Sequence, residues 1–148
     1  MVCLGNICRS PLAEGILKHK IQQHQLNWQV DSAGLGHWHV GEKPDERAIY
    51  VANKKGIDIT YQRARQFEKN DFKVFDKIYA MDLPVRNNLL SLTRYEGEIK
   101  KVDLILNELH PEKNMNVRDP YYDDDVKGFE EVFHLLDKAC EEIIRKYQ

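Results

Sequence analysis

No apolar run in the 148 residues approaches the roughly 20 a membrane helix needs, so no membrane span is predicted. The opening residues do not read as a signal peptide. Cysteine is scarce. There are three, with no CxxC and no paired framework, which favours a reducing compartment, the cytoplasm, over secretion. An excess of either charge is missing as well: 22 basic against 24 acidic residues leave a net charge of −2. That balance predicts no nucleic-acid footprint and no polybasic membrane patch. No Gly-rich loop runs into Lys-Ser or Lys-Thr, so nucleotide phosphates are not the obvious ligand. The histidines are scattered, and His37 with His39 lacks acidic or thiol companions at a convincing ligand spacing, so no metal is expected. Repeats, low-complexity tracts and linkers are absent, and residues 1–148 are expected to form one domain with a full core.

What is present is concentrated in the first eleven residues, Met1-Val2-Cys3-Leu4-Gly5-Asn6-Ile7-Cys8-Arg9-Ser10-Pro11. Gly5 and Asn6 tolerate positive φ, so the chain can curl until its N–H groups point inward. Ser10 is a preferred N-cap and Pro11 suits a first helical position, so a helix is predicted to start there. A nest of N–H groups closed by a helix N-terminus is an anion site, and Arg9 adds a planar two-pronged donor. Cys3 at the mouth of such a loop has its thiolate stabilised by the same field.

Further along, Leu12, Ile16, Leu17 and Ile21 share one helical face, with Lys18, Lys20 and Gln22 directed elsewhere. Trp28 to Ala33 alternates like a short strand and runs into Gly34 and Gly36. Pro44-Asp45-Glu46 opens a second helix that buries Ala48, Val51 and Ala52 and stops at Gly56. Asn70 is predicted to cap a short helix bearing Phe72 and Phe75. Lys77–Asp82 and Lys101–Leu106 read as strands, with a short helix between them from Val85 to Leu92. Residues 118–125 form a polar turn. The last helix is the clearest: Phe129, Val132, Phe133, Leu136, Ala139, Cys140, Ile143 and Tyr147 recur at helical spacing. On that apolar face Cys140 reads as plain core. Alternation of this kind predicts an α/β fold with a mainly parallel sheet and right-handed crossovers, its ligand at the carboxyl ends of the strands. Only Met1 and Val2 precede Cys3, whereas a central strand usually has about five residues, so the first strand is expected to be truncated or a stub.

The chemistry these residues suit is phosphoryl transfer through a phosphocysteine. Cys3 is the candidate nucleophile. Arg9 and the backbone amides from Leu4, Gly5, Asn6, Ile7 and Cys8 bind the phosphoryl oxygens most tightly as the transition state flattens. Ser10 hydrogen-bonds the departing sulfur. A phenolate leaving group, with a conjugate-acid pKa of about 10, benefits from a general acid. Asp119, followed by Pro120, is the candidate, and afterwards its carboxylate activates water. No cofactor is required, because the loop amides and Arg9 already neutralise the phosphate.

Cys3 to Pro11 near the N-terminus, together with Asp119-Pro120-Tyr121-Tyr122, resembles the low-molecular-weight protein tyrosine phosphatases. Val30 to Gly34, Ala64-Arg65-Gln66 and Ala80-Met81-Asp82 resemble that family's intermediate blocks. The resemblance implies a three-layer sandwich with a four-stranded parallel sheet, helices on both faces and the phosphate loop after strand one. It also implies a cytoplasmic, metal-independent enzyme acting on a phosphotyrosine protein or small aryl phosphate, as a monomer or weak dimer. Cys3 becomes the nucleophile, Arg9 the phosphate binder and Asp119 the acid. Trp38, Tyr121 and Tyr122 become walls of a slot for the aryl ring, and Ser32 and Gln62 supports of the loop.

Two departures stand out. The family's extra apolar residues before the nucleophile are absent. Where many members place a histidine supporting the loop asparagine there is Gln62, expected to hydrogen-bond Asn6. Cys8 reads either as a small residue packed under the loop or, by the resemblance, as a disulfide partner for oxidised Cys3. Rival activities are arsenate reduction, which needs relay cysteines absent between Cys8 and Cys140, and phosphoarginine hydrolysis, whose enzymes resemble this chain but carry threonine in place of Ile7. A non-catalytic oxyanion- or phosphopeptide-binding module is the rival of another class.

Overall fold

The computed structural model describes residues 1–148. Val2–Cys3 (β1), Ala33–Gly34 (β2), Ile78–Ala80 (β3) and Val102–Leu104 (β4) form one parallel sheet in the order β2-β1-β3-β4. The helices are α1 (Arg9–Gln23), α2 (Glu46–Lys54), α3 (Asp71–Val74), α4 (Leu83–Ser91), α5 (Glu96–Ile99), α6 (Leu106–Leu109) and α7 (Lys127–Tyr147). Side chains of a strand alternate between its two faces, and this divides the core in two. Cys3 and Tyr79 join the cluster under α1, α2 and α7, where Leu12, Ile16, Phe129 and Leu136 are buried. Val2, Ile78 and Ala80 join Phe72, Val85 and Leu89 of α3 and α4 on the opposite side. Each such large apolar side chain contributes about 1.5–3 kcal/mol on burial. The result is the three-layer α/β sandwich that the alternating elements predicted.

Several elements differ from expectation, each for a local reason. β1 is a stub of two residues, and Val2 alone pairs with both Ala33 and Ala80. A ladder is no longer than its partner, so the strand expected over residues 28–33 shortens to Ala33–Gly34. Trp28 and Val30 pack instead, half-buried, against the α1–α7 core. Ser10 does not cap α1. The helix already begins at Arg9, with Cys8 at the cap position and no side-chain cap, which frees the Ser10 hydroxyl for the loop above it. Lys20, expected to face away, is buried where α7 crosses α1, paired with Asp137 at 3.0 Å and Glu141 at 2.7 Å. Asn70 offers α3 no side-chain cap; the Asp71 carboxylate accepts from the Glu68 N–H instead. Asp45 caps α2 by accepting from the Arg47 N–H, and Asp82 caps α4 by accepting from the Val85 N–H. Gly56, at φ 76°, ends α2 as expected. The short α5 and α6 carry no periodic signal and were not foreseen.

Gly34 carries the sheet up to the loop. A Cβ built there would lie 3.0 Å from the Gly5 carbonyl carbon and 3.0 Å from the Leu4 carbonyl oxygen. Those neighbours are backbone and yield little. Gly34→Ala is therefore expected to cost about 1–3 kcal/mol in denaturant melts and to weaken inhibition by inorganic phosphate. Unchanged phosphate inhibition would mean that the loop accommodates the methyl group.

Candidate active site

After Cys3 the chain turns back on itself through Asn6, which sits at φ 59°, a conformation Asn reaches more readily than most residues. The turn aims the Asn6 N–H at Cys3 Sγ, 3.2 Å away. The N–H groups of Leu4, Gly5, Ile7 and Cys8 have no acceptor within the protein. Converging free amides above the start of a 15-residue helix make a cradle for an anion.

The cradle is fixed from below by the Asn6 side chain. Its Oδ1 accepts from the Arg65 N–H at 3.0 Å, and its Nδ2 donates to Ser10 Oγ at 2.7 Å and to Ser32 Oγ at 3.0 Å. Ser32 Oγ in turn donates to the buried Glu14 carboxylate at 2.7 Å. Hydrogens are conserved along this chain. Both hydroxyls accept from Asn6, so the Ser10 proton is left to face Cys3 Sγ, 3.0 Å distant. The network thus ends by donating to sulfur. Glu14 was not foreseen, and no pattern in the sequence distinguishes it from a solvent-facing helix residue.

Gln62 does not join this network. Its Nε2 donates to the Pro11 carbonyl at 3.1 Å, and its Oε1 is buried without a partner. The expected bond to Asn6 fails because Ser10, Ser32 and the Arg65 N–H already occupy the Asn6 amide. Gln62 therefore supports α1 rather than the loop.

Arg9 is buried to 3% exposure at the helix start. Its Nη1 donates to Asp82 Oδ2 at 2.6 Å and to the Val117 carbonyl at 2.9 Å. Neither Nε nor Nη2 has an acceptor at hydrogen-bond distance, and Nη2 lies 3.6 Å from Asp119 Oδ2. One edge of the guanidinium is anchored and the other is open to a ligand. Burial opposes the charge, but Cys3, Asp82 and Asp119 outweigh it and hold Arg9 above its ordinary value. Asp82 is the anchoring residue: the Ala80-Met81-Asp82 block holds it and Asp82-Leu83-Pro84 carries a helix-start signal, but neither pattern points to a bond with Arg9.

Asp119 enters from the far end of the chain. Its Oδ1 accepts from the Tyr121 N–H at 3.1 Å, which leaves Oδ2, the oxygen nearer Arg9, open to the cleft side. Cys3, Arg9 and Asp119 line one cleft of about 300 Å³. Leu4, Gly5, Ile7 and Cys8 form its floor, and Trp38, Tyr121 and Tyr122 its walls. Tyr121 and Tyr122 meet edge to face with centroids 4.9 Å apart, and Trp38 stacks on His37 at 6.2 Å. His39, also on the cleft, was not expected there; its Nδ1 lies 2.6 Å from Glu42 Oε2. Asn6 and Ser10, expected among the phosphate-binding residues, are buried and do not line the cleft, nor does Ser32. An anion cradle below a slot of aromatic edges suits a flat aryl group carrying a phosphate.

The three cysteines are free thiols. Burial pushes the Cys8 thiol up, and burial pushes Cys140 up to about 12. No group of three or more His, Cys, Asp or Glu is arranged to hold a metal ion, and no helix is long and apolar enough to cross a membrane.

Comparison with known proteins gives a consistent result. The family model described as low molecular weight phosphotyrosine protein phosphatase matches residues 1–148. The pig protein of that name is 38% identical over 98% of this chain and 92% of its own length. Among solved structures, a protein tyrosine phosphatase from Entamoeba histolytica superposes with a TM-score of 0.90 at 39% identity, covering 98% of this chain and 92% of the other. A Drosophila arginine phosphatase superposes with a TM-score of 0.87 at 33% identity, over 99% and 95% of the two chains.

Proposed function

The chain belongs to the low molecular weight phosphotyrosine protein phosphatase family, and we propose that it hydrolyses phosphotyrosine monoesters through a phosphocysteine on Cys3. The observation that carries the proposal is Cys3 Sγ at the mouth of a loop whose amides are free, with the open edge of Arg9 and Asp119 Oδ2 on the same cleft. Sulfur attacks phosphorus in line, the S–P bond forms and the P–O bond to the aryl group breaks. The proton on Asp119 Oδ2 passes to the departing phenolate oxygen. Arg9 Nε and Nη2 and the loop amides follow the equatorial oxygens into the planar transition state. In the second half, Asp119 takes a proton from water, which attacks phosphorus, and the sulfur leaves as a thiolate stabilised by the Ser10 hydroxyl and the Asn6 N–H. Every donor this scheme needs is a group of the chain itself, which supports metal-independent turnover. A thiolate nucleophile works in a reducing compartment such as the cytoplasm.

One structural neighbour is named an arginine phosphatase, which makes phosphoarginine hydrolysis the rival reading on this fold. Ile7 on the cleft floor and the aromatic walls favour the aryl ester here. Arsenate reduction lacks a relay, because Cys140 is fully buried with its thiol pushed up to about 12. The test is kinetics on phosphotyrosine, phosphoserine, phosphoarginine and arsenate side by side, with a chelator present. Phosphotyrosine is expected to be turned over fastest and without metal. Metal dependence, or a preference for another substrate, would overturn the proposal.

A further inference from the structure

We infer that Arg47 is a positioning residue for the acid, coupling the loop that carries Asp119 to the phosphate loop; this rests on the role proposed for Asp119 above. Arg47 lies in the first turn of α2, outside the cleft. Its Nε and Nη2 donate to the Asp45 carboxylate at 3.0 and 2.9 Å. The same guanidinium reaches across to the acid loop, where Nη2 donates to the Tyr121 carbonyl at 2.9 Å and Nη1 to the Asp123 carbonyl at 2.7 Å. Its flat face covers the Phe129 ring at 4.4 Å. All three nitrogens and the π-face are engaged, so the plane is locked in a way a single ammonium cannot reproduce.

Both ends of this clamp lead to the site. On one side, the Asp45 N–H donates to the Ile7 carbonyl at 2.8 Å, so the clamp is tied to the back of the phosphate loop. Although burial works against its charge, hydrogen bonds from Arg47 hold the Asp45 carboxyl below the ordinary carboxylate range. On the other side, the Tyr121 carbonyl that Arg47 grips belongs to the residue whose N–H holds Asp119 Oδ1. The chain of bonds runs from Ile7 through Asp45, Arg47 and Tyr121 to Asp119. Without Arg47, the 119–123 segment keeps two internal bonds, Tyr121 N–H to Asp119 Oδ1 and Asp123 N–H to the Pro120 carbonyl, which do not tie it to the rest of the fold. Its outward ties are the Arg118–Asp123 pair, exposed on the arginine side and weak in water, and the 3.6 Å approach of Asp119 to Arg9.

The experiment compares kcat/KM of the wild type, Arg47→Lys, Arg47→Met and Asp119→Asn on aryl phosphates with high- and low-pKa leaving groups. The affinity for inorganic phosphate is measured alongside. Arg47→Met keeps an apolar stem over Phe129 but no donors. Both Arg47 variants are expected to lose about 10- to 100-fold on the high-pKa ester, with little change on the low-pKa ester or in phosphate affinity. On the Asp119→Asn background, Arg47→Met is expected to add no further loss, because both act through the same proton. Equal losses on the two esters, weakened phosphate binding or additive effects would overturn the coupling and mark Arg47 as merely structural. If Asp119→Asn itself fails to discriminate the leaving groups, the acid assignment falls and the coupling with it. A discriminating Asp119→Asn beside an inert Arg47→Met would sink only the coupling.

Discussion

Cys3→Ser is expected to lower turnover of phosphotyrosine about 10⁴-fold or more and to leave no phosphoenzyme in acid-quenched reactions. The substitution changes one atom, but a serine hydroxyl is a far weaker nucleophile than a cysteine sulfur and gives up its proton far less readily. The cradle itself is untouched by the change. Asn6 remains tied to Ser10, Ser32 and the Arg65 N–H, and Arg9 remains anchored on Asp82. Inhibition by inorganic phosphate should therefore persist while chemistry stops. Residual activity above a few per cent of wild type, with contamination excluded, would remove Cys3 as nucleophile. Loss of phosphate affinity together with activity would instead show that the loop had collapsed.

The second large effect is expected at Arg9. Arg9→Lys conserves the charge but not the division of labour between the two edges of the guanidinium. In the native site Nη1 is held by Asp82 and the Val117 carbonyl, which leaves Nε and Nη2 free for a ligand in the cleft that Arg9 lines. An ammonium on a shorter stem satisfies Asp82 or the phosphate, not both with paired geometry. A drop in kcat/KM of about 10³-fold is expected, because the lost donors act on transition-state charge. The drop should exceed the accompanying loss of phosphate affinity, since binding in the ground state depends on the amides as well. A variant within about tenfold of wild type would mean that charge alone, without the fork, suffices.

These two effects fall on residues legible in the sequence because their signal is local. Cys3 to Pro11 packs the proposed nucleophile, amides, arginine and helix start into one contiguous stretch, and Asp119-Pro120 is a short motif of its own. The alternation of helical and extended patterns likewise made the α/β class readable, since burial on one face imposes periodicity wherever an element is long enough. α7, at 21 residues, showed it most clearly. Elements of two to four residues show no period, so β2 begins later than the alternation from Trp28 predicts and α5 and α6 leave no signal in the sequence.

Long-range partners escaped for a different reason. Asp82, Glu14 and Arg47 look in sequence like ordinary capping or surface residues. Their roles arise only when the fold, with its sheet order β2-β1-β3-β4, brings separated residues into contact, 18 positions apart for Glu14 and Ser32 and 73 apart for Arg9 and Asp82. The same holds for Gln62. Its composition permits a bond to Asn6, but the choice among competing partners was made by the crowding around that amide. Residue chemistry and local spacing thus determined what reaction this chain is equipped for and the class of fold that carries it. Tertiary structure decided which edge of Arg9 is anchored, which oxygen of Asp119 is held by the Tyr121 N–H and which hydroxyl meets the sulfur. A hydrogen bond is directional and each donor has one best acceptor, so those assignments exist only once all the competing groups are in place.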